Sequence, residues 1–70
     1  MEDKQKICNF LLAALQATRA YEDMISLEYE RISRDTEIVT ATYVSGVTQK
    51  INVSMDSGAA MILDIMQKLK

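Results

Sequence analysis

"DKQKICNFLLAALQATRAYEDMISLEYERIS", residues 3–33, contains neither glycine nor proline and reads as helix from end to end. Asn9, Gln16, Arg19, Asp23, Ser26, Glu30 and Ser33 trace one helical face at spacings of three, four and seven. Ile7, Leu11, Ala14, Tyr21, Ile25 and Ile32 trace the opposite face. Glu2 and Asp3 at the start, with Arg31 and Arg34 at the end, suit the helix dipole, and Glu30 with Arg34 adds a favourable i,i+4 pair. A helix over these residues is about 45 Å long at about 1.5 Å per residue. Nothing later in the chain is that long. Either the helix breaks within Ala17–Ala20, its loosest point, or one end projects beyond its own domain and needs company; the second is the expectation.

Beyond it the period changes. From Glu37 to Ser54 threonine, valine, isoleucine and tyrosine alternate with period two, and Ser45-Gly46 is the one turn signal inside the stretch. A three-residue loop Val44-Ser45-Gly46, with glycine left-handed, sets Tyr43 opposite Val47. Val39, Ala41, Tyr43, Val47, Ile51 and Val53 then share one face, and Thr40, Thr42, Thr48, Lys50, Asn52 and Ser54 the other. A two-residue loop would mix the two sets. Residues 57–69 are helical again, with Ile62, Ile65, Met66 and Leu69 at the centre of an apolar arc that Met61 and Leu63 widen. The expected fold is α+β in one domain over 1–70: a long N-terminal helix (3–33), a two-stranded antiparallel hairpin (37–44 and 47–54) and a C-terminal helix (57–69). This α-β-β-α unit is expected to be completed by dimerisation, because 70 residues lie near the lower end of what folds without staples.

Composition removes several kinds of chemistry. One cysteine, Cys8, allows no internal disulfide, and with no histidine the chain has almost no nitrogen or sulfur ligands for zinc. No cofactor and no metal are expected. The net charge of −2 and a pI of about 4.9 offer no general attraction to nucleic acid. At the N-terminus Glu2 and Asp3 cancel Lys4 and Lys6, Asn9 interrupts the apolar run, and Arg19 sits where a cleavage site wants small residues, so no signal peptide is read there. No run approaches the roughly 20 apolar residues of a membrane span. A reduced, cytoplasmic protein with no membrane partner is the expectation.

The candidate sites are few. Asp56, between strand and helix, is expected to cap the free amides of the last helix, with Ser57 and Gly58 accommodated beside it. Ser57 as a nucleophile lacks a histidine base, and Cys8, flanked by Ile7 and Phe10, suits packing better than catalysis. Glu22, Asp23, Glu28, Glu30, Asp35 and Glu37, against two arginines, give residues 22–37 a charge of −4. They read as a solvated acidic surface, with docking on a basic partner as the sharper alternative. Leu12 falls in the polar stripe between Asn9 and Gln16 and adjoins Cys8 and Leu15. Together with the extra apolar width at Met61 and Leu63, it marks an expected dimer interface.

Residues 40–69, "TATYVSGVTQKINVSMDSGAAMILDIMQKL", resemble the C-terminal half of short uncharacterised proteins of bacterial phages and mobile elements, through the glycine turn, the "KINV" strand and the "DSGAAMI" run. The resemblance implies a small bacterial or phage-derived cytoplasmic protein that modulates a host protein, and carries no active residues. The functional expectation is a non-enzymatic protein–protein interaction module, homodimeric through its two helices. The alternatives are a nucleic-acid-associated regulator that gathers Lys50, Arg31 and Arg34 on one side of a dimer, and, remotely, an enzyme using Ser57 or Cys8.

Overall fold

Helix α1 runs from Lys4 to Gln16 and stops where the sequence is loosest. In the computed structural model, which describes residues 2–69, Asp3 caps it by accepting from the Lys6 N–H at 3.0 Å. At the other end Thr18 terminates it. Both its N–H (2.9 Å) and its hydroxyl (2.6 Å) donate to the Leu15 carbonyl, and its Oγ1 accepts from the Tyr21 N–H.

After the break, residues expected to be helical form a strand, β1 (Met24–Ser33). Strands β2 (Thr36–Tyr43) and β3 (Thr48–Asn52) follow, then helix α2 (Gly58–Lys68). The continuous helix over 3–33 is therefore corrected to a 13-residue helix and a strand, and the two-stranded hairpin to a three-stranded antiparallel sheet in the order β1-β2-β3. The physical cause lies in two bulges. Met24 pairs with Tyr43 and Ser26 with Thr42, so Ile25 is an extra residue; Arg31 pairs with Glu37 and Ser33 with Thr36, so Ile32 is another. Each bulge shifts the alternation by one. Met24 and Leu27, three apart, are both buried, whereas Ile25 and Ile32 are exposed. Spacings of three and four in a stretch lacking glycine imitate a helix.

The second bulge follows from the turn it serves. Arg34 and Asp35 connect β1 to β2, and neither takes a positive φ. The two-residue hairpin turns that match strand twist need positive φ, so side-chain-bearing residues in other turns are commonly accommodated by an added residue in the strand. The β2–β3 turn instead uses Gly46 at φ +89°. The Gly46 N–H donates to the Tyr43 carbonyl and the Tyr43 N–H to the Val47 carbonyl, both at 2.9 Å. This is the expected three-residue loop and register.

The core forms on one face of the sheet. Val39, Ala41, Ile51 and Val53 from the hairpin, Met24 and Leu27 from β1, Cys8 and Leu15 from α1, and Met61, Ile65 and Leu69 from the α2 end make one buried cluster. Helix α1 packs extensively against β1, and α2 makes lighter contacts with both α1 and β3. The other face carries the threonines. No helix among the described residues is long and apolar enough to cross a membrane.

Candidate functional site

Three features deserve a functional reading: a polar centre under one end of the sheet, the two sheet edges, and the exposed apolar residues. At the polar centre Glu37 of β2 accepts from Lys4 Nζ and from the Tyr29 hydroxyl, each at 2.6 Å to Oε1, and from the Met55 N–H at 2.9 Å to Oε2. Lys4 also lies 5.6 Å from the Tyr29 ring centroid. The lysine bond first, then the tyrosine and backbone bonds, hold the Glu37 carboxyl at about 2, against desolvation that opposes them. The same hydrogen bond and burial push the Tyr29 phenol up. A carboxylate held so low and fully bonded is a poor proton acceptor at neutral pH. Its role is to join α1, β1, β2 and the β3–α2 loop. Glu37, expected on an acidic surface, is thereby corrected to a buried member of an ion pair.

The remaining acids do not gather either. Glu28 and Glu30 stand on the open face of the sheet, Asp35 lies in the β1–β2 turn, and Glu22 and Asp23 lie in the α1–β1 connection. The open face has a shallow hollow of about 540 Å³ with Glu28 and Glu30 on one side, Thr40 and Thr42 in the floor and Lys50 on the other. Arg31 and Arg34 line a different hollow beside Glu37. Within one chain the three cations of the nucleic-acid alternative therefore do not share a surface.

Ser57, not Asp56, caps α2: its Oγ accepts from the Ala60 N–H at 3.2 Å, and the Gly58 N–H is taken by Glu2 Oε1 at 2.9 Å. The one-residue correction has a steric cause. Met55 takes φ +65°, which tightens the turn after β3 and turns Asp56 inward, where its N–H donates to the Val53 carbonyl. Asp56 Oδ2 is buried without a hydrogen-bond partner among the described residues. Its protonated form can bond Asp64, and that bond together with burial raises its carboxyl above the ordinary range.

The expected dimer interface is largely internal. Cys8, Leu15 and Met61 are buried in the monomer's own core and Leu12 is half-buried against it. Burial holds the Cys8 thiol up at about 11, far from a thiolate. Leu63 alone of that set is exposed, at 64%, and Phe10 (69%) and Met66 (42%) are exposed on the same two helices.

The two sheet edges are treated unequally. Along β1, the Gln5 side chain accepts from the Tyr29 N–H at 2.8 Å and donates to the Leu27 carbonyl at 3.3 Å, as a neighbouring strand would. Gln16 donates to the Met24 carbonyl at 2.9 Å. Neither role is legible in the sequence, because the partners of both glutamines lie in a strand whose apolar spacing imitates a continuation of the same helix. We expect Gln5→Ala to lower stability by about 1–2 kcal/mol, two hydrogen bonds to part-buried backbone being lost, and to speed exchange of the Tyr29 amide. Urea titration and amide exchange measure both.

Along β3 only the far end is covered, where Lys68 Nζ donates to the Asn52 carbonyl at 3.3 Å. That carbonyl faces away from β2. Alternate residues of a strand share a side, so Thr48 and Lys50 direct their N–H and C=O groups outward too. They meet no partner among the described residues. No family model matches this chain, and no curated protein or solved structure shows significant similarity to it.

Proposed function

We propose that this chain is a non-enzymatic protein–protein interaction module that self-associates by pairing β3 with β3 of a second copy. The observation that carries the reading is the unequal treatment of the edges: glutamines of α1 bond β1 at Met24, Leu27 and Tyr29, while Thr48 and Lys50 of β3 stand open. An open edge is a template for another strand.

Charge and capping select the register. Antiparallel pairing centred on Lys50 sets two ammonium groups opposite each other, which is unfavourable. Pairing shifted towards Asn52 displaces Lys68 from the Asn52 carbonyl. Pairing centred on Gln49, with Thr48 of each copy opposite Lys50 of the other, avoids both and makes one six-stranded sheet.

Lys50→Pro tests this, because the substituted N–H faces outward and proline is tolerated on an edge strand. Light scattering behind size exclusion is expected to give the wild type about twice the mass of the 7.9 kDa chain on concentration, and the proline variant the single mass with unchanged circular dichroism. A proline variant that still doubles its mass overturns the reading. The exposed Phe10 and Leu63 favour a second reading, association through the helices. In that case Leu63→Glu, and not Lys50→Pro, gives the monomer.

A further inference from the structure

We propose that Met55, Arg31 and Arg34 form a docking surface for an acidic segment of another protein. The surface lies away from the outward groups of β3 and does not depend on self-association.

The backbone at Met55 supplies the first observation. Met55 is the one described residue other than glycine with positive φ, and its side chain is 78% exposed. A left-handed position favours glycine or asparagine. Here a large apolar side chain holds it, secured by the bond from the Met55 N–H to the buried Glu37 carboxylate. Backbone strain of this kind gathers where a surface is used.

The second observation is charge. Met55 shares a hollow of about 370 Å³ with Arg31 and Arg34. Of the acids of that hollow, Glu37 is paired with Lys4 and bonded by Tyr29 and Met55, Asp56 turns its Oδ2 inward, and Glu2 keeps its charge while accepting from Gly58 at the start of α2, so two arginines stand against Glu2. The arginines make no ion pair among the described residues, where the one salt bridge is Lys4–Glu37. Arg31 donates from Nε to the Ser33 carbonyl and from Nη2 to the Arg34 carbonyl, both at 3.4 Å, which holds its guanidinium across the turn and leaves Nη1 without a bond among the described residues. One guanidinium held across the turn and a second beside it, next to an apolar anchor, fit a carboxylate followed by an apolar side chain, and methionine and arginine are enriched in protein interfaces.

The test is an NMR titration of the ¹⁵N-labelled chain with a blocked peptide of glutamates around a central leucine, alongside its glutamine counterpart and an oligothymidylate. Shifts are expected at Arg31, Arg34 and Met55, with affinity falling several-fold when salt is raised about tenfold. Arg31→Gln combined with Arg34→Gln is expected to weaken binding about 10-fold. Met55→Gly is expected to weaken binding by a similar factor while keeping or raising the melting temperature, which a merely structural role for the side chain would not produce. Equal binding of the glutamine peptide, tighter binding of the oligothymidylate, shifts confined to another surface, or no shift at millimolar peptide each overturns the proposal.

Discussion

Glu37→Gln is expected to lower stability at pH 7 by about 3 kcal/mol. The size follows from linkage: a carboxyl moved from 4.5 to about 2 is worth roughly 3 kcal/mol at about 1.4 kcal/mol per unit. The sign follows from the direction. The folded value is depressed, so the contribution is complete above the unfolded value of 4.5 and is lost as pH falls towards about 2. The wild type should therefore lose this stability between about pH 5 and 2, and the glutamine variant should show little pH dependence from this group. Glutamine cannot substitute for the carboxylate, because its amide nitrogen must face either Lys4 or the Met55 N–H, donor against donor. Urea titrations of both proteins at several pH values measure the effect; parallel pH profiles would show that Glu37 is not the ion-paired centre described.

Met61→Glu is expected to leave the chain unfolded at 25 °C, while Leu63→Glu keeps the native circular dichroism. Met61 is fully buried between α2 and the sheet, and Leu63 is 64% exposed two residues away. Burying an unpaired carboxylate costs several kcal/mol even after its pKa adjusts. A 70-residue domain has about 4–10 kcal/mol in all. A folded monomer from Met61→Glu would instead place Met61 on an interface between copies.

What could be read from the sequence depended on regular alternation. The β2–β3 hairpin has it, so Gly46, the Tyr43–Val47 pairing and the buried set Val39, Ala41, Ile51 and Val53 were all legible. Strand β1 lacks it. With an extra residue at Ile25 and at Ile32, and with glutamates and an arginine that favour helices locally, its apolar residues fall at helical spacing, and only pairing with β2 overrides that preference. The sites follow the same limit. With 24–33 at helical spacing, Glu37 has no partner visible in the sequence, the edge-covering roles of Gln5 and Gln16 are hidden, and the apolar surplus around Cys8, Leu15 and Met61 resembles an interface although these residues pack in the core beneath the sheet. The cap slipped by one residue for a local reason, because nothing in the sequence announces a methionine at positive φ.

Amide hydrogen exchange of Thr48 and Lys50, followed from dilute to concentrated protein, tests the edge-pairing account most directly. Both outward amides are expected to exchange freely when dilute and to slow markedly on concentration, while the Tyr29 amide, bonded to Gln5, is unchanged. A mass that doubles while Thr48 and Lys50 still exchange freely would contradict edge pairing and move the interface to the helices.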